Sequence, residues 1–349
     1  MIRSGVTSVG DCTSSGAPMK SLAACGLRGV VYQEAFGPTP DMAREALALL
    51  TERLDAHASL ASDRLRAGVS PHSPYLACPE MLEGMASLAA AGDFPISIHL
   101  AESAEEDAFV RDGTGAIALH QRGRGFTVTP RGCSPVEHLA TLGWLALPVP
   151  LQLVHLAQAG ASDLAKLARA SAAGVPVHAV ACPRSNANLG NGAPDLAGWT
   201  RAGVAWSLGT DGAPAVGACD PFSEMRFAQL VSRAVSRDAA ALTAREVVER
   251  ATLGAAAALG LAGSVGSLEP GKLADLCAVR LRAPGSASAR DPCSALVSEA
   301  KAADVMLTMV AGRTLWDGET LSTIDEPRAL AACADRLAML RHLQERRGR

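Results

Sequence analysis

Apolar and polar positions along this chain repeat one rhythm. A short Val/Ile/Leu-rich run ends in a turn or polar tip, and an Ala/Leu-rich stretch of helical period follows. Seven runs read as strands: residues 5–11, 29–34, 67–70, 95–99, 151–155, 175–181 and 204–212. Helical pattern fills 18–25, 40–66, 79–91, 162–173, 195–201, 221–236 and 243–259. Thr39 and Asp41 are capping candidates for the helix from Pro40. Pro71 and Pro74 forbid the third strand from continuing. From 107 to 150 Gly113, Gly115, Gly123, Gly125 and Gly132 break the rhythm, so that stretch reads as a long loop carrying short helices, one over 135–142. Such an insertion at a strand's C-terminal end is a candidate active-site cover.

Strand and helix in alternation predict parallel βα units. Beyond Gly263 the texture changes to glycine-rich, short β segments over 266–272, 276–280 and 305–316, followed by an amphipathic helix over 326–344. The expected division is a barrel-type domain over 1–262 and a smaller unit over 263–349.

Composition narrows the class. The chain has 349 residues, enough for one barrel-sized domain and an appendage. Hydrophobic residues make up 48% and aromatics 3%, so the core must be built from Ala, Leu and Val. A net charge of -3 offers no field for nucleic acid and no polybasic membrane patch. No apolar run reaches the roughly 18 residues of a membrane span, and residues 1–5 do not open a signal peptide. Nine scattered cysteines form no C-x-x-C pair, and their odd number argues against a disulfide framework. A reducing cytoplasm is the expected location. A small molecule is the expected partner, and self-association into a homo-oligomer is left open.

Candidate chemistry sits at the strand ends. His72, His99 with Glu102, His155 and Asp211 each close an apolar run. A lone histidine at a strand end is ordinarily a hydrogen-bonded structural residue. Four polar tips on successive strands are harder to dismiss, because a barrel brings all its strand ends to one rim. Histidine with aspartate suits Zn²⁺ or Fe²⁺, and Glu102 beside a metal ligand can move protons. His178 lies well before its strand's end and reads as a core residue. His57, His120, His138 and His342 lie in helical or loop sequence and take no role, and Cys182 before Pro183 reads as a small buried residue. No G-x-S-x-G elbow, P-loop or well-placed G-x-G-x-x-G is present.

Four motifs in order carry a resemblance. They are Ser70-Pro71-His72-Ser73-Pro74-Tyr75, His99-Leu100-Ala101-Glu102, Cys182-Pro183-Arg184-Ser185-Asn186 with Leu189-Gly190-Asn191-Gly192, and Gly209-Thr210-Asp211-Gly212. Together they resemble the cytosine deaminase-like branch of the amidohydrolase superfamily, which includes triazine chlorohydrolases and S-adenosylhomocysteine, guanine and aminofutalosine deaminases. The stretch from Gly266 to Leu276 is similar to that family's return into its small β domain, and Val310-Ala311-Gly312-Arg313 to the closing hairpin. Cys133 to Leu139 resembles, more locally, the segment before strand 6 of aminofutalosine deaminase-like members.

The resemblance implies a (β/α)8 barrel, one Zn²⁺ or Fe²⁺ per chain, and hydrolytic deamination of an amino-substituted nitrogen heterocycle. It makes His99 and Asp211 metal ligands and has Asp211 take a proton from the attacking water. His155 would orient that water or ligate directly. Glu102 would carry a proton to the substrate ring nitrogen, and His72 would hydrogen-bond the ring. The family's first strand ends in a His-x-His that supplies two more ligands. No His-x-His occurs here, and the first histidine is His57. The expected architecture is therefore a barrel without its first strand and with part of the small β domain, in an N-terminally truncated chain of weak metal affinity. Two alternatives remain: another C–N or C–Cl hydrolysis on the same scaffold, or a catalytically inactive fragment that binds a ligand or partner.

Overall fold

The structure, a computed structural model, describes residues 1–281 and 291–347. The seven expected runs form one parallel sheet: β1 (Ser8–Thr13), β2 (Arg28–Ala35), β3 (Leu65–Pro71), β4 (Ile96–Leu100), β5 (Leu151–His155), β6 (Val177–Ala181) and β7 (Trp206–Leu208). Spatial order follows chain order from β1 to β7, every neighbouring pair is parallel, and β1 and β7 do not pair with each other. Helices between the strands cover the sheet, so strands such as β2 are buried along nearly their whole length. That double burial is why they read as apolar runs rather than as alternation. The architecture is the expected barrel-type sheet of seven strands.

Inside the curl, the chain after the helix Leu253–Ala258 acts as a plug. Leu259 packs on Val30 and Tyr32, and the buried Gln152 amide donates to the Ala258 carbonyl at 2.8 Å. The second cluster of buried residues, Val30, Tyr32 and Leu259, is thus filled by a residue from the far end of the sheet's sequence.

Three expected boundaries shift, each for a local reason. Gly5, at φ +81°, closes a 3-10 turn over Ile2–Ser4, so β1 begins at Ser8. The helix Pro40–Ala58 is capped by Thr39, whose hydroxyl accepts from the Met42 N–H at 3.3 Å. It stops before residue 66 because Ser62 and Leu65 pair across a tight turn that launches β3. The helix expected over 243–259 breaks at Thr252 (φ −118°, ψ −88°), whose hydroxyl donates back to the Val248 carbonyl at 2.8 Å. Within 107–150 the expected short helices are present as Gly115–Gly123 and Pro135–Thr141, with Ala104–Asp112 leading in.

β8 (Leu276–Val279), β9 (Val305–Val310) and β10 (Arg313–Trp316) form a small antiparallel sheet ordered β10-β9-β8. Ala311 (φ +50°) and Gly312 (φ +77°) make the two-residue hairpin turn whose left-handed geometry matches strand twist. Residues 266–272, expected as a β segment, form turns instead. There the Lys272 ammonium donates to the Ala262 carbonyl and to Ser267, holding a loop rather than a ladder. Four contacts fasten the small sheet and its flanking segments to the start of the chain. The Thr308 hydroxyl donates to the Ile2 carbonyl (2.7 Å), the Thr323 hydroxyl to Cys25 (2.8 Å), Arg3 pairs with Glu326, and Arg28 pairs with Asp275. The final helix, Glu326–Arg347, leaves Leu330, Leu337 and Leu340 exposed. No helix among the described residues is long and apolar enough to cross a membrane.

Candidate active site

Sequential parallel pairing puts the C-terminal ends of β2 to β7 on one rim. His72 follows β3, His99 lies near the end of β4, and His155 ends β5. The imidazole centroids step across the rim, 4.9 Å from His72 to His99 and 5.6 Å from His99 to His155. Glu102 is reached just past β4 and Asp211 just past β7. Ala101 (φ +49°), His155 (+78°), Leu156 (+47°) and Asp211 (+66°) are left-handed. A non-glycine residue adopts that region only where its surroundings enforce it, and such positions gather at functional rims.

Each ring has a defined partner. His99 Nδ1 is 2.9 Å from the His72 carbonyl, which can only accept, so Nδ1 carries the hydrogen and Nε2 keeps a bare lone pair. His155 Nδ1 meets Asn186 Oδ1 at 3.0 Å, which likewise frees its Nε2, 3.9 Å from Glu102 Oε2. His72 Nδ1 meets Glu34 Oε1 at 2.8 Å. Phe36 and Tyr75 flank the His72 ring at 5.2 and 6.2 Å, a local concentration in an aromatic-poor chain. Burial holds the His99 ring below its usual pKa, with His155 and His72 adding to the effect. Burial does the same for His155. Both rings therefore stand neutral near pH 7, the form that donates to a metal.

The acids are equally placed. Burial raises the Glu102 carboxyl, and Asp211 raises it further while His99 opposes. The Asn191 amide donates to Glu102 Oε1 at 3.0 Å. Asp211 accepts the Ser185 hydroxyl at 2.5 Å and the Gly212 N–H. All the expected site residues thus stand on the same rim.

Metal-ligand geometry is more selective. Among the described residues, one set of ligand atoms lies mutually within 4.8 Å: Glu34, His72 and His99. The expected set of His99, Asp211 and His155 shares His99 with it. Two imidazoles and a carboxylate are a common zinc donor set, and the bare His99 Nε2 fits a divalent cation. Two donors on one tetrahedral zinc stand about 3.3 Å apart, from bonds of about 2.0–2.1 Å. The 2.8 Å from His72 to Glu34 is instead the length of a shared hydrogen. His99 is thus the donor common to both sets, and Glu34 in this arrangement anchors His72.

Sequence reasoning passed over Glu34, Asn186 and Asn191. Glu34 ends an apolar run just as the four recognised tips do. The two asparagines lie within motifs already singled out, but their contacts with His155 and Glu102 need the loops to meet in space. His178 sits inside β6, as a core histidine should, and its Nε2 has no hydrogen-bond partner. Cys182 is buried and, like the other eight cysteines, a free thiol.

A sequential parallel βα sheet with histidines and acids crowded on its carboxyl rim defines an α/β-barrel hydrolase. The chain belongs to the Amidohydrolase family, which residues 1–315 match. It is 34% identical over 265 residues to a 5-methylthioadenosine/S-adenosylhomocysteine deaminase of Teredinibacter turnerae, covering 76% of this chain and 54% of the relative. It is 33% identical over 330 residues to a 5'-deoxyadenosine deaminase of Methanothermobacter thermautotrophicus, covering 93% and 71%. Its fold superposes on an adenosine deaminase from Xanthomonas campestris solved with bound zinc, with a TM-score of 0.83 and 27% identity over 98% of this chain and 73% of that one. The chain thus spans from about half to about three quarters of the length of these relatives.

Proposed function

We propose that this rim performs hydrolytic deamination of an amino-substituted nitrogen heterocycle of the adenosine class, releasing ammonia. The observation that carries the reading is Glu102: a half-buried carboxyl of raised pKa, fixed by Asn191 and facing His155 Nε2 at 3.9 Å. A carboxyl whose hold on a proton is strengthened by burial is suited to carrying one to a substrate in the transition state. It would protonate the ring nitrogen beside the amino-bearing carbon, making that carbon electrophilic. His72, anchored through Nδ1, presents Nε2 for a hydrogen bond to the ring. Asp211 takes the proton of the attacking water, and His155 orients that water. Asp211 then passes that proton to the amino nitrogen, and the C–N bond breaks with release of ammonia. The proton of the added hydroxyl returns to Glu102 as the ring carbonyl forms. A divalent cation held through His99 would supply Lewis acidity to the same reaction, and the zinc in the Xanthomonas campestris deaminase structure favours zinc over iron. Three deaminases of adenosine-type nucleosides among the similar proteins favour this substrate class over triazines. Nine free thiols fit a cytoplasmic location.

The test is ammonia release by the zinc-loaded chain from a panel of 5'-deoxyadenosine, S-adenosylhomocysteine, adenosine, aminofutalosine, guanine and a triazine. Glu102→Gln should abolish turnover while retaining bound metal. Turnover at the wild-type rate in that variant would refute the proton-transfer role.

A further inference from the structure

Glu106 occupies the first turn of the helix Ala104–Asp112, where acidic side chains are ordinary and face water. This one is 0% exposed. Burying a carboxyl is costly unless its oxygens are satisfied, and burial pushes this one up to about 8. No lysine, arginine or histidine pairs with it among the described residues. Its partners are backbone: Oε1 accepts the Ala101 N–H at 2.8 Å and Oε2 accepts the Glu102 N–H at 2.9 Å. A simple capping glutamate at this position would reach the N–H of the cap residue, here Ser103. Glu106 reaches past it, to the two residues that carry the chain from β4 to Glu102.

Those residues need holding. Ala101 is left-handed at φ +49°, a conformation that a turn without support would relax. The other side of the turn is held as well, since the Gln158 N–H donates to the Ala101 carbonyl at 2.8 Å. The Gln158 side chain donates to the Asn191 carbonyl at 2.6 Å, and Asn191 in turn donates to Glu102 Oε1. Glu102 is thus clasped at its backbone by Glu106 and at its carboxylate by Asn191.

We infer that Glu106 is a positioning residue: its buried carboxyl builds the turn that aims Glu102 at the reacting ring nitrogen. This rests on the proton-transfer role proposed for Glu102. The interaction is inexpensive to probe, because glutamine keeps the shape but turns an NH₂ toward one of the two N–H donors.

The experiment uses the full zinc-loaded chain and its Glu106→Gln variant, with 5'-deoxyadenosine as substrate. Loss of an orienting partner should lower kcat about 10–100-fold with KM nearly unchanged. Amide exchange at Ala101 and Glu102 should accelerate at least about tenfold, while the His99 amide in β4 keeps its protection. Unchanged exchange at Ala101 and Glu102, or faster exchange with wild-type kcat, overturns the inference. So does loss of protection across β4, which would make Glu106 a general packing residue. Should the variant not fold, the wild-type chain decides by NMR. The Ala101 and Glu102 amide protons should titrate together near the Glu106 value of about 8, and their failure to do so refutes the clasp. Absence of ammonia from the wild-type chain sinks the deaminase reading alone and leaves the exchange result standing.

Discussion

The Arg28–Asp275 pair makes a quantitative prediction about how the two sheets are joined. Arg28 is on β2 and Asp275 immediately precedes β8. Their side chains are 3% and 0% exposed, and the contact is two-pronged, Nε to Oδ2 at 2.6 Å and Nη2 to Oδ1 at 3.1 Å. Arg28 also donates to the Asp63 carbonyl at 2.9 Å, and Asp275 accepts the Ala311 N–H of the small-sheet hairpin at 2.7 Å. Each charge is therefore fully paired and out of water. Removing one partner strands the other, at a cost of about 3–5 kcal/mol, whereas removing both charges is close to neutral for the pair itself. Arg28→Met and Asp275→Asn should each cost about 3–5 kcal/mol. The double variant keeps an acceptor for Ala311 but leaves the new amide NH₂ and the Asp63 carbonyl without partners. It should therefore cost about 2–5 kcal/mol, below the roughly 6–10 kcal/mol sum of the singles. Equilibrium urea unfolding followed by far-UV circular dichroism measures all four proteins, with unchanged m-values as the check on comparability. Additive single losses, or singles under about 1 kcal/mol as for an exposed pair, would refute the account.

Three further outcomes are expected from the same geometry. Burial, with the Arg250 charge adding to it, lowers the pKa of His178 to about 4. Its stabilisation is then complete above its ordinary value near 6.5 and drains away as pH falls toward 4. The unfolded chain takes up a proton there that the folded chain refuses, for a loss of up to roughly 3 kcal/mol. His178→Gln should flatten the stability profile across that window, and an unaltered slope would show that other groups set it. A Cβ on Gly29 would stand 2.3 Å from the Val9 carbonyl in the paired register of β1 and β2. Gly29→Ala should therefore cost about 1–3 kcal/mol or more by thermal or urea unfolding, and a neutral result would mean β1 can retreat freely. Zinc content by elemental analysis separates the two ligand sets around His99. His99→Gln should lose the metal, Glu34→Gln should keep it if Glu34 only anchors His72, and Asp211→Asn should weaken it. Metal loss in Glu34→Gln instead would make Glu34 a ligand.

The sequence was most legible where one physical cause acts alone. Strands buried on both faces, such as β4 and β5, leave near-continuous apolar runs, and the polar tips at the strand ends mark the rim. His72, His99, Glu102, His155 and Asp211 could be chosen that way without knowing the sheet order. Boundaries were harder, because they turn on single residues such as Gly5 and Thr252 whose backbone conformation no periodicity encodes. Residues 266–272 misled because glycine-rich β-like texture also suits a turn stapled by one lysine. The partners Glu34, Asn186 and Asn191 were invisible for a different reason. Their roles exist only as distances between segments about 30 to 90 residues apart.

The contacts fastening the chain's beginning to the small sheet also govern when the protein can finish folding. The Ile2 carbonyl waits for a hydroxyl 306 positions later, Cys25 for one 298 positions later, and Arg28 for a carboxylate 247 positions later. At the usual about 5–20 residues per second of synthesis, the first of these gaps is about 15–60 s on the ribosome. Through that interval the first strands are made but lack the partners that seat them, with apolar edges open to other chains. Completion is therefore a late, long-range event, of the kind that slows folding. Nascent chains arrested before residue 305 should remain protease-sensitive through β1 and β2, however well the middle of the sheet has formed.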